Sequence, residues 1–486
     1  MSEITKLNPQ NVWKNFYALT QIPRPSKHEA KVVAYLKDFG KKLGLETIVD
    51  ETGNVIIRKP ATKGMENRAG VILQGHVDMV PQKNNAKKHD FTKDPIETII
   101  DGEWVRANET TLGADNGMGC AAAMAVLESK DVAHGPIECL FTVDEETGMT
   151  GANHLKAGVL NGKILINMDS ETEGELYVGC AGGVDVNVTK SYREVPAPEG
   201  YEAYKVSVGG LNGGHSGMEI NAGRANANKL LVRFLNRYNY KYDYELAEIE
   251  GGNMRNAIPR EAYAIIMVPK AEAKTLKAEV ANYQTIYREE FKVTEQNLTF
   301  TVEKVKKAPE KVVPHKTAQN IIKATFVCPN GVVRMSDSMP GLVETSNNLA
   351  IIEVKGGKFV VKCLTRSSVN SAKEGTMYKI GTVFDMIGAK VEYTGEYPGW
   401  NPNMDSPIMN TMKTCYKKLF KKEPKIMAIH AGLECGLFGS VYDWDMVSFG
   451  PTIEHPHSPD ERVNIESVER FWKFLVETLK NVPTAK

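Results

Sequence analysis

Four apolar runs in this sequence lead into residues that bind metals or move protons. Residues 71–74 run into Gly75-His76-Val77-Asp78, residues 137–143 into Asp144-Glu145-Glu146, residues 164–168 into Asp169, and residues 446–449 toward His455 and His457. A further acidic residue, Asp115, stands ahead of a small-residue helix that begins near Cys120. Imidazole and carboxylate donors in one set suit zinc, with cobalt or manganese as alternatives. A single catalytic zinc takes three protein ligands and keeps a position open, so this inventory exceeds one ion and fits two metals sharing a carboxylate. The chemistry of such a pair is hydrolysis, because it lowers the pKa of a water toward ~7 and polarises a carbonyl. A free carboxylate must then carry the proton to the leaving group. Adjacent Glu145 and Glu146 divide naturally into a base and a ligand. Asp78, two residues from His76 on a strand, points the same way and can orient the imidazole.

Each of these residues taken alone has a plainer reading. Glu145-Glu146 could be a solvated pair, Asp115 a helix cap, Asp169 a turn residue and His457 a loop residue. Their joint placement at apolar run ends is what those readings leave unexplained, since strand carboxyl ends are where open α/β sheets bind ligands.

The elements that would position them alternate. Residues 8–22 form a helix, Pro23-Arg24-Pro25 breaks it, and Ser26 with Glu29 forms a Ser-x-x-Glu capping box for a helix burying Val32, Val33, Leu36, Phe39 and Leu43. Strands separated by helices predict a mainly parallel sheet. From residue 184 the pattern changes to alternating apolar and polar residues, the signature of antiparallel strands with one wet face. Strand and helix patterns then recur in a weaker second set up to residue 396, which predicts two related α+β halves. A closing helix buries Ile465, Val468, Trp472, Leu475 and Leu479. The predicted architecture is an α/β catalytic domain, residues 1–183 plus 397–486, interrupted by an α+β domain at 184–396.

Lys+Arg and Asp+Glu are both 60 in 486 residues, so no basic surplus points to nucleic acid or an anionic membrane. No stretch approaches the ~18 apolar residues of a membrane span, and the N-terminus has no apolar signal core. The seven cysteines are odd in number and widely spaced, which suits a reducing compartment, and a cytoplasmic location is expected.

Gly75-His76-Val77-Asp78, Gly113-Ala114-Asp115-Asn116-Gly117, Asp144-Glu145-Glu146-Thr147-Gly148, Asn167-Met168-Asp169-Ser170-Glu171 and His457-Ser458-Pro459-Asp460-Glu461 follow the motif order of the dinuclear-zinc exopeptidases. The chain resembles that family over nearly its whole length. The resemblance implies that His76, Asp115 and Asp169 hold one zinc, that Asp115, Glu146 and His457 hold the other, that Glu145 is the general base and that Asp78 orients His76. It also implies a cis Asp115–Asn116 peptide. His457 is preferred to His455 because Ser-Pro-Asp-Glu follows it.

The inserted domain would be the family's lid. Gly213-Gly214-His215-Ser216-Gly217 resembles the lid histidine motif, with His215 in an oxyanion role. Asn256 and Arg366 resemble the lid groups that hold the substrate, Arg366 suiting a terminal carboxylate. Residues 22–29, the chain length and the loop 430–436 most resemble the branch that cleaves Xaa-His dipeptides. The implied substrate is therefore a small unblocked peptide. An N-acyl amino acid deacylase or a tripeptidase would use the same metal site. A short lid makes a homodimer in many family members; this longer one leaves open whether a partner is needed.

Overall fold

The computed structural model describes residues 2–485. The chain divides into two compact units: residues 1–179, 402–428 and 433–486 in the first, and 180–401 with 429–432 in the second.

The first unit is built on an eight-stranded mixed sheet whose centre is parallel. Strands Ile137–Thr142, Val71–His76, Ile164–Asn167 and Asp445–Ser448 lie side by side in that order, all parallel. Antiparallel strands flank them, Val55–Lys59 on one side and Glu175–Cys180 on the other. Val71–His76 and Ile137–Thr142 are buried along their whole length, as expected of strands covered on both faces. The helix Ala114–Glu128 packs against Val71–His76, and its alanines and glycines allow the close approach. In the closing helix Ile465–Asn481, Phe471 and Phe474 are buried, whereas Ile465 and Trp472 are only partly covered.

The expected Ser26–Glu29 capping box does not form. The helix Ala30–Lys42 starts directly after Glu29 with no side-chain cap, and Leu43 is 38% exposed beyond its end. Lys27 takes a left-handed conformation, φ 69°, which turns Ser26 away from the helix start. Both side chains are engaged elsewhere in the same unit.

The second unit is a nine-stranded antiparallel sheet with helices. Its halves share one order, strand–helix–strand–strand–helix–strand. One half runs through Tyr201–Gly209, Ala227–Tyr238, Glu245–Gly251, Ala262–Pro269, Ala273–Glu290 and Thr299–Lys304. The other runs through Gly182–Ser191, His315–Val327, Val343–Lys355, Lys358–Ser367, Asn370–Asp385 and Lys390–Tyr397. Both arrange their strands spatially as fourth, first, third, second, and the two second strands, Glu245–Gly251 and Val343–Lys355, pair across the middle. The first half is thus nested inside the second, after the latter's opening strand. One core of apolar residues from both halves lies under the helices.

Candidate active site

The carboxyl ends of the four parallel strands bring His76, Glu145, Glu146, Asp169 and His457 to one edge of the sheet, and Asp115 reaches the same place from the start of its helix. His76 Nε2 lies 3.1 Å from Asp115 Oδ1 and 3.3 Å from Asp169 Oδ1. His457 Nε2 lies 3.0 Å from Asp115 Oδ2 and 3.1 Å from Glu146 Oε2. Asp115 therefore offers one oxygen to each imidazole. The sets His76–Asp115–Asp169 and Asp115–Glu146–His457 are each compact enough to hold a cation, their donor atoms lying within 4.8 Å of one another. Glu145 joins His76 and Glu146 in a third such set. His455 is exposed and belongs to none of them.

The donor set fits a pair of divalent ions. Asp169 Oδ1 and Glu146 Oε1 are buried and receive no hydrogen bond; an ionised carboxylate is acceptor-only, so a cation is what such oxygens lack. Burial, with Asp115 and Glu146 adding to it, pushes Asp169 up to about 6 against the opposing pull of His76. Burial likewise raises Glu145 well above the usual range and lifts Glu171 and Glu434 to about 8. Hydrogen bonds to Asp115 and Glu146 raise His457 to about 11. So many buried carboxylates cannot ionise together unless positive charge is brought among them.

The backbone around these side chains is held in detail. Asp78 is fully buried and stands 3.3 Å from His76 Nδ1. Its carboxylate accepts the amides of Glu145 and Glu146 at 3.0 and 3.2 Å and the Ser26 hydroxyl at 2.8 Å. Burial alone would raise its pKa, but these contacts and His76 hold it down at about 2. The Glu461 carboxylate accepts the amides of Leu112, Gly113, Ala114 and Asp115 at 2.7 to 3.2 Å. The Asp115–Asn116 peptide is cis, as the resemblance implies. Gly75 has no room for a side chain, since a Cβ there would stand 2.2 Å from Asn116 Oδ1.

Beneath His76 lies a row of polar side chains absent from the sequence reading. Gln74 and Thr142 donate to the buried Glu434 carboxylate at 2.6 and 2.9 Å, and Asn167 donates to Gln74 at 2.5 Å. Glu434 Oε1 is left without a partner. The expected loop at 430–436 in fact contains the start of the helix Glu434–Val441. Nothing local marked Glu434, because its neighbours in the row come from three distant strands.

In the second unit, His215 pairs with Ala257 in a two-stranded ladder, and the Ser216 amide donates to the Asn256 carbonyl at 2.8 Å. His215 Nδ1 accepts the amides of Gly217 and Met218 at 3.2 and 3.1 Å, which places the ring proton on Nε2. Burial and nearby Arg366 lower the pKa of His215. Arg366 is buried, its guanidinium donates to Tyr397 Oη at 3.1 Å, and its Nε has no acceptor. No carboxylate forms an ion pair with Arg366 among the described residues, so it stands as a buried cation open to an anion. Asn256 is exposed. His430, the first residue of the loop 430–436 and assigned no separate role above, is buried with its Nε2 2.7 Å from Ser346 Oγ, and burial pushes it down to about 3.

Residues 72–481 match the model of peptidase family M20/M25/M40, and the chain belongs to that family of peptidases. It is 48% identical over 484 residues to the cytosol non-specific dipeptidase of Escherichia coli strain K12, covering 99% of this chain and all of that one. It superposes on the crystal structure of aminoacylhistidine dipeptidase from Vibrio alginolyticus with a TM-score of 0.95 and 47% identity, covering 100% of this chain and 99% of that chain. The aminopeptidase PepT of Bacillus cereus, at 17% identity and a TM-score of 0.57 over 98% of this chain and 99% of that one, shares the fold. No helix among the described residues is long and apolar enough to cross a membrane.

Proposed function

We propose that this chain is a cytosolic metallo-dipeptidase that hydrolyses unblocked dipeptides, Xaa-His among them, with two zinc ions. The observation that carries the proposal is the sharing of Asp115 between His76 and His457, 3.1 and 3.0 Å from its two oxygens. The activities named for the E. coli and V. alginolyticus relatives, similar to this chain from end to end, support the substrate class.

His76, Asp115 and Asp169 would hold one ion, and Asp115, Glu146 and His457 the other. Bound there, the pair supplies Lewis acidity toward a carbonyl oxygen and a water of pKa ~7. Glu145 takes the proton from the attacking water and delivers it to the leaving amine; its burial favours accepting a proton. Asp78 fixes the tautomer and orientation of His76. His215 offers its Nε2–H to the developing oxyanion. Arg366 receives the C-terminal carboxylate, with Asn256 as a further contact to the substrate. Glu171, a carboxyl group beside the centre that neither ligand set uses, meets the free ammonium of the substrate, whose charge favours its ionised form.

The test is hydrolysis of Ala-His, Ala-Ala and N-acetyl-His by the zinc-loaded protein, each with a chelator control. Chelator-sensitive cleavage of Ala-His with the acetylated compound spared is expected. Cleavage of N-acetyl-His alone would move the function to deacylation, and silence on all three would remove the catalytic reading. Cobalt- and manganese-loaded protein, run in parallel, shows whether zinc is the productive metal.

A further inference from the structure

The segment between the first two helices, residues 21–29, has no part in the chemistry above, yet three of its side chains together reach three turns of the site. Arg24 is 1% exposed, and no carboxylate forms an ion pair with it among the described residues. One terminal nitrogen donates to the carbonyls of Val77 and Asp78 at 2.8 and 3.1 Å, and the other to the carbonyl of Gly113 at 2.6 Å. Ser26 donates to Asp78 Oδ2 at 2.8 Å. Glu29 accepts the amide of Asp144 at 3.1 Å and that of Lys27 at 2.8 Å. The main chain reinforces them, the Met79 amide donating to the Arg24 carbonyl at 3.2 Å and the Ser26 amide to that of Met79 at 3.3 Å.

Those contacts fall on the turn after His76, on the turn before Asp115 and on the residue before Glu145. These turns belong to separate loops, and their carboxylates repel one another. A guanidinium can bridge two of them because its donors are rigidly spread in a plane; a lysine ammonium is a single point. Burying that charge is unfavourable unless its protons are taken up; here peptide carbonyls accept from both terminal nitrogens, while Nε finds no acceptor among the described residues. The packing is tight, since a Cβ at Gly113 or Gly117 would lie 2.6 or 2.7 Å from the guanidinium. Gly113 is also held on its amide side, where Glu461 accepts its N–H at 3.0 Å.

We propose that Arg24, Ser26 and Glu29 form a brace of positioning residues, which sets the separation of His76 and Asp115 before metal binds. The inference rests on the dinuclear reading of the site. It also accounts for the missing capping box: Ser26 and Glu29 serve the ligand turns rather than the helix.

The experiment is a Co(II) titration of the metal-stripped full-length protein, followed by visible absorption and by competition with a chelator, for wild type, Arg24→Met, Arg24→Lys, Ser26→Ala and Glu29→Gln. Groups that orient metal ligands are worth about 10- to 100-fold in metal affinity. Arg24→Met is expected to lose affinity in that range, to change the cobalt spectrum, and to lower kcat with KM for a dipeptide unchanged; excess metal restores part of kcat. Arg24→Lys, which keeps the charge but cannot span both turns, is expected to behave the same way. Ser26→Ala and Glu29→Gln are expected to lose affinity by smaller factors. Folded Arg24→Met with wild-type cobalt affinity and spectrum, whatever its melting temperature, overturns the brace. Should it not fold, wild-type affinity and spectrum in both Ser26→Ala and Glu29→Gln overturn it instead. Wild type that takes up fewer than two ions overturns the dinuclear reading, and the brace with it.

Discussion

The Asp78 carboxylate accepts the amide of Glu145 at 3.0 Å while standing 3.3 Å from the imidazole of His76. One buried side chain therefore ties the histidine proposed as a metal ligand to the turn that carries the proposed base. Asp78→Ala releases both. Metal affinity is expected to fall about 10- to 100-fold, and kcat is expected to stay below wild type even at saturating metal, because the Glu145 turn has lost its acceptor. Full recovery of kcat by added metal would limit Asp78 to orienting His76.

Glu145→Gln keeps the shape of the base and removes its ability to take a proton. General-base contributions are typically about 10²- to 10⁴-fold, and kcat on Ala-His is expected to drop within that range. Metal content measured by atomic emission should remain at two ions per chain. A variant that turns over at the wild-type rate would assign the proton transfer to another group.

Chelation removes the cations among a crowd of buried carboxylates, so it is expected to abolish turnover and to lower the melting temperature. Ligand linkage at about a thousandfold excess over Kd is worth about 4 kcal/mol. Scanning calorimetry across a zinc series should show the transition rising with free metal. A transition that ignores metal would contradict the ligand sets described above.

Arg366 is a buried cation with no acidic partner among the described residues, which suits a substrate carboxylate. Arg366→Met is expected to lower kcat/KM for dipeptides by about two orders of magnitude, in line with truncating one side of a buried charge pair. Dipeptide amides, which carry no terminal charge, should be poor substrates of wild type and lose little further in the variant. Equal losses on both substrates would place Arg366 outside carboxylate recognition.

His430 is neutral when folded, its pKa pushed down to about 3 from an ordinary 6.5. Between those values the unfolded chain holds the proton and the folded chain does not, so stability rises with pH and is lost as pH falls below about 6.5. One proton contributes at most about 1.4 kcal/mol per pH unit. Unfolding free energies from pH 4 to 6.5 should show a shallower slope in His430→Asn than in wild type. Identical slopes would mean that His430 titrates alike in both states.

His76, Asp115, Glu145, Glu146, Asp169 and His457 were legible in the sequence because each follows a recognisable local signal: an apolar run that stops, or a glycine-rich turn ahead of a small-residue helix. Local signals misled at Ser26 and Glu29, where the capping pattern was present and the backbone at Lys27 turned away from it. They were silent at Glu434 and His430, whose partners Gln74, Thr142 and Ser346 lie far off in the chain. The nesting of one half of the second unit inside the other was also invisible, since periodicity records the order of elements and not which strands pair.

The kinds of donor, their number and their places at strand ends follow from residue type and short-range periodicity, and so could be read along the chain. Which oxygen of Asp115 faces which histidine, and that Arg24 takes the carbonyl and Glu461 the amide of Gly113, follow from the folded arrangement alone. The physical reason is range. A strand or a helix start is specified by near neighbours, whereas a metal-binding geometry and a buried guanidinium depend on hydrogen bonds between loops that meet only when the sheet has formed.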